Sequence, residues 1–204
     1  RFECMAQRTR PWVVGIAGPS GSGKSTLAQG VAEALGGTYV GENPKWFKLP
    51  KVPYDQMTAE YEGPGNIDWT GTREDLEAAI RAAPTGGAVV VEHYLLPNPS
   101  SSLVDLVDVC FFLDPRYGGA AEEAVMGACR ERRVGRRPRP EEEAVAARRY
   151  YERFAWPNFL GEVEPHVGLA FNDAKLVRLD LLRSQDDLRG FVVTTCQKLM
   201  EPDA

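Results

Sequence analysis

Histidine is nearly absent from this sequence. His93 and His166 are the only two in 204 residues, too few for a zinc cluster, and no nucleophile elbow stands near either of them to suggest a serine hydrolase. Cysteine is sparse as well: Cys4, Cys110, Cys129 and Cys196 are scattered without a C-x-x-C pair. That argues for reduced thiols rather than a secreted disulfide framework, and Cys110 sits in an apolar run where a buried free thiol fits. No apolar stretch approaches the roughly 20 residues needed to span a bilayer, and residues 1–11 lack the apolar core of a signal peptide. The expected location is therefore cytoplasmic, with no membrane partner. Basic excess is missing too, since 24 Lys and Arg face 29 Asp and Glu for a net charge of −5, so no nucleic-acid partner is expected. An N-K-x-D signature is lacking, which excludes a GTPase, and the chain is too short for a large ATPase motor. Internal repeats and low-complexity tracts are absent.

What remains is an ordinary globular composition, 43% hydrophobic and 26% charged, sufficient for one domain with a sizeable core. The chain opens on Arg1, and residues 1–11 read as an N-terminal extension, either a cloning remnant or part of a longer protein. Residues 12–204 read as a single domain. Short apolar runs alternate with helical patterns, the signature of βαβ units around a parallel sheet. Strands are expected near residues 12–17, 38–41, 88–91, 107–113 and 176–179. Helices are expected near residues 25–35, 73–83, 119–133, 141–155 and 185–200. Two segments fit neither pattern. Residues 42–70 hold Pro44, Pro50, Pro53 and Pro64 with several aromatics, too long for a plain connection and read as a substrate-covering loop. Residues 130–143 open with six arginines between two helices and read as a lid.

The clearest motif runs Gly18-Pro19-Ser20-Gly21-Ser22-Gly23-Lys24-Ser25, a G-x-x-x-x-G-K-[ST] phosphate loop directly after an apolar strand and before an amphipathic helix. Its glycines let backbone N–H groups and the helix N-terminus face phosphate oxygens. Lys24 adds a mobile positive charge and Ser25 a hydroxyl suited to Mg²⁺. The alternative, an ordinary glycine-rich turn, has no need of a lysine at that spot. ATP and Mg²⁺ are the expected cofactors, and a small molecule is the expected second substrate.

Other candidates are placed around this loop. Glu92 ends the run Val89-Val90-Val91 at the carboxyl edge of the sheet, where open α/β proteins bind ligands; it either serves the metal and the acceptor or is a solvated strand end. Among Arg130, Arg132, Arg133, Arg136, Arg137 and Arg139, some are solvated, while cations on a mobile segment beside a phosphate loop suit phosphoryl transfer. Asp68 either binds a diol or caps the helix after it, a role open to Thr70 and Thr72 also. Trp46, Phe47, Tyr54 and Trp69 either stack on a planar base or cover the core edge.

Taken together these residues resemble the uridine kinase and phosphoribulokinase superfamily, most nearly its nicotinamide riboside kinase branch. The resemblance spans nearly the whole chain. It is carried by Gly15-Ile16-Ala17-Gly18, Ser22-Gly23-Lys24-Ser25-Thr26-Leu27-Ala28, Trp46-Phe47-Lys48 and Ile67-Asp68-Trp69 in the first half. Glu92-His93-Tyr94-Leu95-Leu96, Cys129-Arg130-Glu131-Arg132-Arg133 and Phe154-Ala155-Trp156-Pro157 carry it in the second. It implies a nucleoside-kinase-like α/β fold of three layers, with a five-stranded parallel sheet and an arginine-rich lid. The implied reaction is transfer of the ATP γ-phosphate to the 5′-hydroxyl of a ribonucleoside, of the nicotinamide riboside or uridine and cytidine type. By position, Gly18, Ser20, Gly21, Ser22, Gly23, Lys24, Ser25 and Thr26 would hold the nucleotide, joined by Arg132, Arg133 and Arg136 from the lid. Ser25 and Glu92 would hold the metal. Phe47, Asp68, Glu92 and His93 would contact the acceptor, with Asp68 on the ribose diol and Phe47 stacked on the base. Lys24, Glu92 and Arg132 would act in transfer.

Two positions depart from the family. Its presumed general base is an Asp after the second strand, where this chain reads Gly41-Glu42-Asn43-Pro44 and places Asn43. An amide cannot accept the proton, and Glu42 beside it takes over if the register shifts by one residue. Ile67 replaces an aromatic found in the nicotinamide riboside branch. Two alternatives stay open: a kinase of a non-nucleoside metabolite such as pantothenate, glycerate or a sugar phosphate, and a catalytically weak nucleotide-binding homologue.

Overall fold

A computed structural model describes residues 9–172 and 174–201; Cys4 and most of the N-terminal extension fall outside them. Strand β1 (Trp12–Ala17) leads through the phosphate loop into helix α1 (Lys24–Ala34) and the short strand β2 (Thr38–Val40). A long segment with four single-turn helices follows, then α2 (Trp69–Ala82), β3 (Ala88–Glu92) and β4 (Val109–Asp114). Helices α3 (Glu122–Val134), α4 (Glu141–Tyr150), α5 (Trp156–Glu162) and α6 (Val167–Ala170) precede β5 (Leu176–Asp180) and α7 (Gln185–Met200).

The five strands form one parallel sheet in the order β2-β3-β1-β4-β5. Side chains alternate across it with period two. Val14 and Ile16 of β1, with Phe111 and Leu113 of β4, pack under Leu27 and Val31 of α1 and Leu188 and Val192 of α7. Val13, Ala17, Val89, Val91, Cys110 and Phe112 face the opposite side, against Leu76 of α2 and Phe159 of α5. Helices therefore cover both faces, as a buried parallel sheet requires, and each fully buried Leu or Val contributes about 1.5–3 kcal/mol. Among the described residues Cys110, Cys129 and Cys196 are free and buried, and burial raises their thiol pKa values, to about 11 for Cys129 and about 12 for Cys196. No helix among the described residues is long and apolar enough to cross a membrane.

The sheet's strands lie where the sequence pattern puts them, and the helix ends move for local reasons. Helix α2 starts at Trp69, not at residue 73, because Asp68 caps it by accepting from the Gly71 N–H. Helix α3 starts at Glu122 because Gly118 and Gly119 turn the chain at φ +103° and +78°. The helix expected to stop at residue 155 instead runs on through a π turn (Tyr151–Ala155), in which the Trp156 N–H reaches back five residues to the Tyr151 carbonyl. That wider turn makes room for Pro157, which has no N–H to donate and whose ring crowds a normal helical turn.

Candidate active site

The phosphate loop joins β1 at the centre of the sheet to the N-terminus of α1. Gly21 and Gly23 adopt φ +81° and +94°, a region that side chains rarely enter. Space forbids a side chain as well: a Cβ on Gly21 would lie 2.0 Å from the Cys129 carbonyl oxygen of α3, and one on Gly23 would lie 2.4 Å from Gln185 Nε2 of α7. Lys24 is only 4% exposed, with Nζ 3.4 Å from the Pro19 carbonyl. Beside it the Ser22 hydroxyl is buried without a hydrogen-bond partner. A curl of backbone amides, a buried ammonium and an unmet hydroxyl match the oxygens of a polyphosphate. Thr26 is exposed on the first turn of α1.

Glu92 closes this loop from β3. It is 2% exposed, and its Oε1 accepts from Ser25 Oγ at 2.9 Å and from the Tyr39 hydroxyl at 3.1 Å. Its Oε2 is buried and has no partner. A buried carboxylate oxygen beside a serine hydroxyl, next to a phosphate cradle, fits Mg²⁺, which favours few protein ligands and phosphate oxygens. Burial, with the Glu92 charge second, pushes the Tyr39 hydroxyl pKa well above its ordinary value, so Tyr39 stays a hydrogen-bond donor.

His93 follows Glu92 but points into the interior. It is 0% exposed, and its Nδ1 accepts from the Leu95 N–H at 3.1 Å. The proton of the neutral ring therefore sits on Nε2, which has no hydrogen-bond partner. The rings of Trp46, Trp69 and Tyr94 surround it with centroids 5.1–6.1 Å away. Burial first, then the nearby Lys24 charge, pushes its pKa down to about 3.

A cavity of about 400 Å³ opens beside the phosphate loop, with Ser20 of that loop in its wall, a volume typical of small-molecule sites. Glu42, Phe47, Tyr54 and Tyr61 of the 42–70 segment line one side, and Tyr94, Arg133 and Tyr150 line the other. Asn43, Asp68 and His93 do not line it. The Asn43 side chain instead accepts from the Lys45 N–H and caps the turn Pro44–Trp46. Of the two adjacent candidates, only Glu42 reaches the cavity. Asp68 is engaged as the cap of α2.

The arginines of residues 130–143 divide into those paired with carboxylates and those that are not. Arg130 pairs with Glu131 and Glu152, and Arg137 and Arg139 pair with Glu143. Arg133 pairs with the buried carboxylate of Glu62 at 3.1 Å and lies over the Tyr150 and Tyr151 rings. Burial is the largest single influence and opposes its charge, but Glu62 together with Tyr54 and Tyr150 outweighs it and holds the guanidinium above its ordinary pKa. Arg132 and Arg136 are exposed and make no ion pair among the described residues; Arg132 reaches only the Leu181 carbonyl, at 3.4 Å. Consecutive tyrosines tie this region down: Tyr150 donates to Glu62 Oε1 at 2.8 Å, and Tyr151 donates to the Ser20 carbonyl at 2.8 Å.

Sequence reading had no signal for Tyr39, Glu62, Tyr150 or Tyr151. Each acts through tertiary contact with a partner 53 to 131 positions away, and none belongs to a local motif.

No known family model matches the chain. Over 84 residues it is 32% identical to a uridine kinase from Deinococcus deserti, a stretch covering 39% of this chain and 41% of that protein, or about two fifths of the relative's length. A sugar kinase from Janibacter sp. HTCC2649 shares the fold with TM-score 0.51 at 17% identity, over 95% of this chain and 99% of the other. A gluconokinase from Sinorhizobium meliloti aligns with TM-score 0.50 at 16% identity, over 93% and 94%. At these identities the likeness is one of fold.

Proposed function

We propose that the protein is an ATP- and Mg²⁺-dependent small-molecule kinase and that its acceptor is a ribonucleoside phosphorylated on its 5′-hydroxyl. The observation that carries this reading is a wall shared between two sites: Ser20 of the phosphate loop and Glu42 line the same cavity, so an acceptor held there lies beside the phosphate cradle. The stretch similar to a uridine kinase supports the acceptor class; uridine, cytidine and nicotinamide riboside are its candidate members.

In this reading Gly18, Ser20, Gly21, Ser22, Gly23, Lys24, Ser25 and Thr26 bind and orient the nucleotide. Ser25 and Glu92 would hold Mg²⁺, which neutralises phosphate charge when bound. Glu42 takes the acceptor's proton, the role that Asn43 cannot fill. Phe47 supplies a ring for a planar base. Arg132 and Arg136, free of carboxylates among the described residues, are the lid cations available to transferring phosphate, while Arg133 is committed to Glu62. The compartment consistent with this chemistry is the cytoplasm.

The test is ADP release with ATP, Mg²⁺ and a panel of nucleosides, run beside Lys24→Ala. Turnover with at least one nucleoside, reduced about 100-fold or more by Lys24→Ala, is the expected result. Absence of turnover with every nucleoside overturns the acceptor class, and a Lys24→Ala variant with wild-type rates overturns the role of the loop.

One observation favours a second reading, a kinase of a non-nucleoside metabolite: Asp68, the residue for a ribose diol, caps α2 and lies outside the cavity wall. The same panel extended to pantothenate, glycerate and sugar phosphates separates the two.

A further inference from the structure

The charged groups in the cavity wall are Glu42, Lys51, Glu62 and Arg133. Lys51 is exposed and surrounded by water, where a single cation contributes little to binding an anion. Arg133 is the wall's one inward cation, and it is already spent. Its guanidinium donates to Glu62 Oε1 at 3.1 Å and is packed against the rings of Tyr150 and Tyr151. Glu62 is 6% exposed, and the same oxygen takes the Tyr150 hydroxyl at 2.8 Å. The backbone of Glu62 is fixed as well, its carbonyl accepting from Tyr94 Oη at 3.3 Å and from Asn158 Nδ2 at 2.8 Å.

From this geometry we infer that Glu62 is a specificity-determining residue that, by neutralising Arg133, restricts the cavity to acceptors bearing no carboxylate or phosphate. The inference rests on the kinase reading and narrows its substrate class. An anionic acceptor entering the cavity loses its hydration and needs a cation in return. Here it meets a guanidinium whose charge Glu62 already balances, so no net positive charge receives it. What the wall does offer is rings, from Phe47, Tyr54, Tyr61, Tyr94 and Tyr150, and the hydroxyls of Tyr54 and Tyr61, which suit a planar or polyhydroxyl compound without an anionic group. Of the acceptors considered above, the nucleosides bear neither a carboxylate nor a phosphate and fit this wall; pantothenate, glycerate and sugar phosphates do not. Glu62 acts through Arg133, so it positions and screens a charge and takes no part in the transfer itself.

The test reads binding, not turnover, and so stands apart from whether any panel compound is phosphorylated. Calorimetry is run on the protein saturated with ADP and Mg²⁺, using two pairs of probes that differ by one carboxylate: 5-methyluridine with 5-carboxyuridine, and D-glucitol with D-gluconate. Glu62→Gln keeps the size and the hydrogen bonds of the side chain and leaves Arg133 unbalanced. At least one carboxylate-bearing probe is expected to bind the variant about tenfold or more tightly than it binds the wild type, with its uncharged partner unchanged or weakened. General damage to the site cannot produce such a gain. Carboxylate probes that bind both proteins equally, or neither, overturn the inference. Arg133→Gln supplies an independent check should Glu62→Gln not fold: with Glu62 unopposed, no carboxylate probe gains affinity, and any such gain overturns the assignment.

Discussion

The hydroxyl of Tyr39 hydrogen-bonds the same oxygen of Glu92, Oε1, that accepts from Ser25. Two donors on one carboxylate oxygen fix the rotation of the group and leave Oε2 presented, buried and unmet. Tyr39 reaches this place by folding over Gly41, where a Cβ would lie 2.1 Å from its hydroxyl oxygen.

Tyr39→Phe removes one of those donors and is expected to weaken divalent-metal binding about tenfold, the usual effect of losing a partner of a ligating group. Manganese binding followed by electron paramagnetic resonance, alongside the Mg²⁺ dependence of turnover, measures it. Gly41→Ala should reproduce the effect by displacing the ring. Wild-type manganese affinity in both variants would remove Tyr39 from the site.

Glu42 and Asn43 are separated by experiment as they are by geometry. Glu42→Gln is expected to lower kcat about 100-fold or more with little change in melting temperature, as for loss of a general base. Asn43→Ala should leave kcat within about twofold while weakening the loop by up to about 1 kcal/mol through the lost cap. The reverse pattern would remove Glu42 as the base and give the Asn43 amide a positioning role.

Asp68 is tested by its amide. An Asn caps a helix as well as an Asp does, so Asp68→Asn should retain stability, and Asp68→Ala should lose about 1 kcal/mol, or about 2–4 °C in melting temperature. Neither is expected to alter acceptor KM. A KM raised in both variants for ribonucleosides alone would instead put the carboxylate on the ribose diol.

What could be read from the chain follows the range of the interactions. The strand, loop and helix from Trp12 to Ala34 were legible because their determinants are local: an apolar run, glycines, then a lysine and serine at fixed spacing. The π turn before Trp156 was not, because Pro157 normally signals a helix end and only the rearranged bond from Trp156 to Tyr151 absorbs it. The ion pair between Glu62 and Arg133 joins residues 71 positions apart, and nothing local to Tyr61-Glu62-Gly63 marks that carboxylate as buried. Asp68 shows the intermediate case: both of its roles were visible in sequence, and the structure shows the cap being made.

His93 sets an acid limit on stability. Its folded pKa, lowered to about 3 by burial, lies below the ordinary value of 6.5. Below about pH 6.5 the unfolded chain therefore binds a proton that the folded chain refuses. Stability from this group is complete above pH 6.5 and falls with decreasing pH, by up to about 1.4 kcal/mol per unit. Urea unfolding at pH 7, 6, 5 and 4 should show this loss in the wild type, and a shallower loss in His93→Gln. Equal slopes would mean that His93 titrates normally in the folded protein.

Tyr150 and Tyr151 are neighbours in the chain, yet one holds the Glu62 carboxylate in the cavity wall and the other the backbone of the phosphate loop. Both chambers thus hang from a single joint of one helix. A shift at that joint would bear on both, and any coupling it carried between their occupants would be reciprocal: the factor that one contributed to the other's affinity would be returned in full.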